Sequence, residues 1–512
     1  MDEAALRRRV RSVRRTAATG HEGDGSNVRE RPRLSSAALG ALPAAARPRE
    51  RAGAPPGIVH IGLGAFHRAH QAVHTADAGD WGILAVSPRS TGVLEALRAQ
   101  DHLYAVVDND GDRRTTRVVN SIVDTAHLAT EPDRVAGAIA APTTRVVTLT
   151  VTEKGYRLDP AGALRIDDEL RAEAAGGPAR TILGALVRGL QRRMAAGAGP
   201  IALASCDNLP GNGEKLRSAV RGFCELLPAA DARPLLEFVD TAVGFPSSVV
   251  DRIVPATTEQ DLELVADELG AVDRAAVVAE PYSQWVTTDE FPGGRPDWAA
   301  AGVEFTADTT AHELTKLRVL NGSHSALAYL GGLAGHATIA EAVRDEALHG
   351  FVRSLQTAEI LPTVDGGAID VHDYARTVLR RFANPALKHR TAQVAADGSQ
   401  KLPIRLLSVA ADNQVAGRPR RRAALVVAAW LRYIALGRDD RGAPLEVSDP
   451  LADKVRAADE HDLLSDVDRR LSALDPRLGD DAEFTGLVRE HLRDLAAGGA
   501  RAVAAATGEG AA

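Results

Sequence analysis

PPGIVHIGLGAFHRAHQAVHTADA, residues 55–78, is the stretch whose reading decides the fold. A short apolar run, IVHI (58–61), passes through a glycine turn into a segment whose apolar residues recur with a period near 3.6. Strand, turn, helix is the context that a dinucleotide-binding turn requires. In Gly62-Leu63-Gly64-Ala65-Phe66-His67 the first glycine would allow the tight turn, and the second would let backbone approach a pyrophosphate. His67 stands where a third glycine would complete the fingerprint, so the pair marks either a dinucleotide site or a plain strand–helix turn. Gly62, Gly64, Phe66 and Arg68 are the cofactor candidates here. Arg68, one turn into the helix, either pairs with phosphate or belongs to a solvated face. His67, His70 and His74 share a helix face, but no carboxylate or cysteine at ligand spacing joins them. They read as packing or hydrogen-bonding residues, and no metal is expected.

Outward from this turn, strand-like runs follow at WGILAV (81–86), TRVVTLTVTE (144–153) and PIALASCDN (200–208), with helical patterns between them such as TILGALVRGLQRRMAAG (181–197). Strands alternating with helices indicate a parallel, doubly wound α/β sheet of Rossmann type. From about residue 309 the pattern turns predominantly helical, over 311–332, 338–359, 371–383, 420–436 and 482–497. The expected organisation is an Arg- and Ala-rich disordered extension over 1–54, a dinucleotide-binding domain over 55–305, a mainly helical catalytic domain over 306–505, and a tail over 506–512. After the second strand, where an NAD site usually carries an acid for the ribose, the chain has Ser87-Pro88-Arg89-Ser90. Arg89 is therefore either a residue that tolerates a 2′-phosphate or an ordinary loop residue, and the choice between NAD and NADP stays open.

Composition narrows the classes of function. With 45% apolar and 25% charged residues in 512, the chain is ordinary for a globular protein with two or three domains. A formal net charge of −7 argues against nucleic acid or an anionic membrane as partner. RRRVRSVRR (7–15) reads as part of a solvated extension rather than a nucleic-acid tail. No apolar run is long enough to span a bilayer. Cys206 and Cys224 are too few for a disulfide framework, which fits a reducing, cytoplasmic setting.

Six of the 61 basic residues are lysines and the other 55 are arginines. A chain that writes Arg almost everywhere keeps Lys where Arg will not serve, and the chief chemical difference is that a desolvated Lys can lose its proton. One of the six sits in TKLRVLNGSHSALAYL (315–330). With Lys316 at zero on an α-helical wheel, Glu313 falls at about 60°, His324 at about 80° and Asn321 at about 140°, with Leu317, Leu320 and Leu327 among them. A solvated face would not interleave these leucines with polar groups, and a buried face would not hold unpaired polar groups at about 1–3 kcal/mol each. The segment is either the wall of a cleft that addresses a ligand or a self-satisfied polar network.

The chemistry of the first alternative is alcohol oxidation. Burial lowers the pKa of Lys316, so the neutral amine can take a hydroxyl proton as general base while hydride leaves for a nicotinamide. Asn321 and His324 would hold the developing alkoxide, Glu313 would pass the proton on, and Asn208 would be a second partner of that oxygen. Asp207 and Asn208 lie at the carboxyl end of a strand, where ligands of open α/β sheets bind.

These residues resemble the mannitol dehydrogenase family, the long-chain polyol dehydrogenases that act without metal. The likeness runs from about 56 to 500 through GIVHIGLGAFHRAHQA (57–72), TLTVTEKGY (148–156), SCDNLPGNG (205–213), FPSSVVDRIVP (245–255), EPYSQWV (280–286), KLRVLNGSHSALAYLG (316–331) and DGSQKLP (397–403). The resemblance implies a Lys-x4-Asn-x2-His signature at Lys316, Asn321 and His324, an upstream asparagine at Asn208 and a proton-relay glutamate at Glu313. It further implies an active site between a Rossmann-type and a helical domain, and NAD as cofactor with NADP left open. Glu153-Lys154-Gly155-Tyr156 and the segment NPALKHRT (384–391) look more like fructuronate reductase than like mannitol 2-dehydrogenase. A sugar-acid carboxylate needs a cationic partner, and Lys154, Lys388, Arg390, Lys401 and Arg405 are candidates. The expected reaction is D-mannonate/D-fructuronate interconversion. The alternatives are mannitol 2-dehydrogenase, mannitol-1-phosphate 5-dehydrogenase, or a non-enzymatic NAD-binding regulator. The expected assembly is a monomer or small homo-oligomer, with a polyol or sugar acid as the small-molecule partner.

Overall fold

A strand presents successive side chains to opposite faces. In the first strand Val59 and Ile61 face one core and Ile58 the other, and all are buried. A strand buried on both faces belongs inside a parallel sheet covered on both sides. The computed structural model describes residues 31–51, 53, 55–159, 162–367 and 369–509. Along the chain its strands are β1 (Pro56–Ile61), β2 (Gly82–Ser87), β3 (Tyr104–Asn109), β4 (Arg114–Val119), β5 (Ile122–His127), β6 (Val146–Leu149), β7 (Ile201–Ser205), β8 (Val243–Gly244), β9 (Ser248–Asp251), β10 (Val277–Ala279), β11 (Gln284–Thr288) and β12 (Glu304–Thr306). Six form one sheet of order β5-β2-β1-β6-β7-β8. All neighbouring pairs in it are parallel. Counted within this sheet the strands run third, second, first, fourth, fifth, sixth, the doubly wound order, which reverses direction between β1 and β6.

The hairpin β3–β4 interrupts that progression between the second and third strands and joins β10 in a small sheet, while β12-β11-β9 forms another. Both small sheets lie outside the elements expected from the sequence. In β4 (RTTRVV) the exposed and half-buried positions are Arg and Thr, so no apolar run announces it.

The segment 31–46 is packed rather than free. Leu34, Leu42 and Ala46 are buried against Val265 and Leu269. Leu34 donates a backbone hydrogen bond to Val272, and Val272 donates one to Pro32. An Ala-rich stretch with three leucines lacks visible periodicity, yet Leu34 and Leu42 pack with Ala105, Val107 and Val118 of the β10-β3-β4 sheet. Residues 1–30 of the expected extension lie outside the described residues. The last helical stretch, Ala482–Glu509, kinks at Gly499 and runs through the expected tail as far as 509.

The helical half packs around Tyr329, Phe351, Trp430 and Phe484. The pattern read as one helix over 338–359 is two, Ile339–Arg344 and Glu346–Leu355. The carboxylate of Asp345 caps the second at the break. No helix among the described residues is long and apolar enough to cross a membrane. One arginine ties the halves together. Arg381, at the end of helix Val371–Phe382, donates to Asp251 (2.6 Å) and twice to Glu280 (2.7 and 3.0 Å). Its guanidinium lies 3.9 Å over the Tyr282 ring.

Candidate active site

The carboxyl ends of β1, β2, β6 and β7 open onto two cavities that share Gly62, Gly64, Thr150 and Thr152. Gly62 takes φ +116°, and a Cβ there would lie 2.1 Å from the Thr150 carbonyl, so glycine is obligatory. A Cβ on Gly64 would meet only the Gly62 carbonyl at 3.7 Å, so the space beside it belongs to the cavity. The expected helix after this turn is two short ones, Ala65–Ala69 and Gln71–Asp77, broken at His70. One ring nitrogen of His70 binds the Gln284 carbonyl (2.8 Å), and His74 binds the Ala301 carbonyl (2.9 Å) and Ser283 (3.1 Å). His67 stacks on His60 with ring centroids 3.3 Å apart. These imidazoles are structural, and their pKa values are lowered chiefly by burial.

One of the two cavities, about 440 Å³, runs from the glycine turn to Lys316, Leu320 and Asn321, with Phe66, Asn208 and Asp251 in its wall. The Lys316 amine donates to Asn208 Oδ1 at 2.7 Å and to the Val250 carbonyl at 2.6 Å. A neutral amine has two hydrogens and one lone pair, so both hydrogens are engaged and the lone pair is left for the cavity. Lys316 is 8% exposed. Burial is the main cause that lowers its pKa; Asp251 opposes that shift, and Arg381 and Arg405 reinforce it.

A smaller cavity of about 90 Å³ adjoins the same amine and is lined by Glu313, Asn208, Asn321 and Arg405. It has room for a few ordered waters. Glu313 is fixed at its rim, accepting from the Gly211 N–H (3.1 Å) and the Thr309 hydroxyl (3.0 Å). The Asn321 side chain makes no hydrogen bond among the described residues, leaving its amide to the cavity. His324 is one layer back. It stacks on Phe382 (4.5 Å between centroids) and meets His389 edge-on (4.9 Å). Its Nε2 has no protein partner, and burial holds its pKa well below the ordinary value.

The residues from Lys316 to Asn321 form a π-helical turn between the helices Thr310–Thr315 and Gly322–Leu333. Bonding i to i+5 widens the turn, so Asn321 comes round nearly over Lys316 rather than about 140° away as an α-helix would put it. Arg405 lies on another π turn, Pro403–Leu407, packed against the first. Single π turns recur at functional sites.

The family models for the mannitol dehydrogenase Rossmann domain and C-terminal domain match residues 56–300 and 308–495. The chain belongs to the mannitol dehydrogenase family. The D-mannonate oxidoreductase of Escherichia coli is 38% identical over 88% of this chain and 95% of its own length. A mannitol 2-dehydrogenase of Pyrenophora tritici-repentis is 37% identical over 80% of this chain and 74% of its own. The Pseudomonas fluorescens mannitol 2-dehydrogenase, solved as a ternary complex with NAD and D-mannitol, superposes with a TM-score of 0.79 at 32% identity, covering 92% of this chain and 98% of that one. The protein is thus an oxidoreductase acting on CH–OH groups.

Within this family frame several candidates stand elsewhere than their sequence context suggests. Arg68 is turned into the core, where its guanidinium binds the Gly64 and Ala275 carbonyls away from the cavities. Asp207 lines the cavity, but its carboxylate is committed to the protein, accepting from the Val151 and Thr152 N–H groups (3.1 and 2.7 Å) and the Tyr156 hydroxyl (2.6 Å). It holds Thr152 at φ +67°, a conformation non-glycine residues rarely adopt. Lys154 lies beside Arg89 in the wall of the cavity over β2, not near Lys316. Arg390 is a surface residue, its side chain 60% exposed and paired with Glu446. Lys401 points its amine at the Ala396 and Val394 carbonyls, at the end of helix Thr391–Ala395. Lys388 is exposed, and of the five cationic candidates Arg405 alone reaches the wall beside Lys316. It bonds Ser325 (3.1 Å) and has no carboxylate partner among the described residues, and burial lowers its pKa to about 10. The sequence reading passed over Val250, Asp251 and Arg381. Asp251 lies in a quoted motif, but Arg381 on an amphipathic helix has no sequence mark that separates it from its exposed neighbour Arg380.

Proposed function

We propose that the protein interconverts D-mannonate and D-fructuronate with a nicotinamide dinucleotide, Lys316 serving as general base. The observation that carries this reading is the buried Lys316 amine, held by Asn208 and Val250 in the wall of the cavity that begins at the glycine turn. The cradle fits a dinucleotide, since Gly62 and Gly64 leave the space beside β1 free and the two cavities meet there. When bound, the cofactor accepts or returns the hydride. The residues of the chain supply the rest. Neutral Lys316 takes the proton of the substrate hydroxyl and the unengaged Asn321 amide stabilises the alkoxide, while His324, one layer back, supports that wall. Asn208 keeps the amine oriented. Glu313 receives the proton across the small cavity and hands it to solvent.

A sugar acid is favoured over an uncharged polyol by Arg405, a cation in the pocket wall that pairs with no carboxylate among the described residues. The test follows NADH absorbance with mannonate, mannitol and mannitol 1-phosphate as separate substrates. Turnover of mannonate above the others is expected. Turnover of mannitol alone would replace this substrate with that of the mannitol 2-dehydrogenases, and no turnover with any would favour a non-catalytic NAD-binding role.

A further inference from the structure

The cavity over β1, β2 and β6, about 640 Å³, is walled by four cations, Arg89, Lys154, Arg157 and Arg180, and by one carboxylate, Glu169. Glu169 is already paired with Arg157, which also binds Asp167. Arg89, Lys154 and Arg180 have no side-chain hydrogen bond or ion pair among the described residues. At the end of β2, where an acid would receive the ribose hydroxyls of NAD, the Ser87 hydroxyl instead donates to the Ser90 carbonyl (2.6 Å), and no residue over 87–90 is acidic. The backbone of Arg89 is fixed there by the ring of His127, whose Nε2 lies 3.1 Å from the Arg89 carbonyl. His127 is itself held by Thr130 at 2.9 Å.

From this we infer that the protein accepts NADP(H) as well as NAD(H), with Arg89 receiving the 2′-phosphate and Lys154 and Arg180 supplying the surrounding positive potential. The inference rests on the nicotinamide-dependent reading above but not on the identity of the sugar. A 2′-phosphate carries the charge that three unpaired cations attract, and the missing acid removes the repulsion that would keep it out.

Fluorescence titration of the purified protein with NADPH and with NADH tests it without turnover. NADPH should bind at least as tightly as NADH, and its advantage should shrink as salt rises. Arg89→Ala should weaken NADPH about tenfold or more, the loss of one charge-assisted hydrogen bond, while changing NADH by less than about threefold. Arg89→Lys should recover part of the NADPH affinity, and Ser87→Asp should weaken NADPH selectively. NADH binding without NADPH binding would overturn the inference. So would an equal loss of both in Arg89→Ala, which would assign Arg89 to the shared pyrophosphate. If neither dinucleotide binds, the dehydrogenase reading itself fails and this inference falls with it.

Discussion

At the scale of single residues, the chemistry depends on an amine that gives up its proton more readily than a free lysine does. Burial disfavours the ammonium of Lys316, and the nearby guanidinium groups add to that, so its pKa lies below the ordinary lysine value. The sign for catalysis follows. Oxidation uses the neutral amine, so kcat/KM for the alcohol should rise with pH through this deprotonation, with its midpoint below that of a free lysine. Carbonyl reduction uses the ammonium and should fall over the same range. Measured pH–rate profiles in both directions check this. Asn208→Ala removes one of the two acceptors that aim the amine and should lower kcat by about tenfold or more with a smaller change in KM. Lys316, Asn321, Asn208 and Glu313 were legible because their residue types are wrong for an ordinary apolar helix or strand end. Arg390, Lys154 and Lys401 were misplaced because the sequence cannot say which of many cations faces inward. That choice is made by tertiary partners such as Glu446 for Arg390 and the helix-end carbonyls for Lys401.

At the scale of elements, the parallel doubly wound sheet and the glycine turn followed from strand periodicity, because fully buried parallel strands are nearly continuous apolar runs. Of the small sheets, β4 escaped notice because its half-exposed positions carry Arg and Thr, and β9, β10 and β12 because they span only three or four residues. The π turn at 316–321 was invisible to an α-helical wheel, although its effect, Asn321 swung over Lys316, is what assembles the site. The element that fixes this turn against the sheet is the Arg381 clamp on Asp251 and Glu280. Arg381→Met would leave two carboxylates buried without their cation and should cost about 3–5 kcal/mol of stability, read by urea denaturation. An unchanged urea midpoint would show that the clamp contributes nothing to joining the two halves.

At the scale of the whole molecule, the cleft between sheet and helical half is surrounded by buried imidazoles. His60 is held down to about 3, and His67, His70 and His324 lie well below the ordinary value, all mainly through burial. These groups are neutral when folded and bind protons when unfolded below about pH 6.5. The unfolded state therefore takes up more protons as pH falls, so the stability they contribute is fully present above about pH 6.5 and is lost below it. His60 alone should account for about 1 kcal/mol between pH 7.5 and 5.5. Carboxylates raised by burial, such as Asp273 and Glu280, act in the opposite sense, from a reference near 4 up to their folded-state values. Urea midpoints at the two pH values measure the sum. An unchanged midpoint would mean that the carboxylates offset the histidines or that the histidines are protonated in the fold.

The decisive measurement is a pair of readings on Lys316→Met, dinucleotide affinity by fluorescence and sugar-acid oxidation by NADH absorbance. Affinity close to that of the unmodified protein, with kcat reduced at least about a thousandfold, is the predicted result. Turnover within about tenfold of the unmodified protein would contradict the assignment of the base and, with it, the mechanism built on the buried amine.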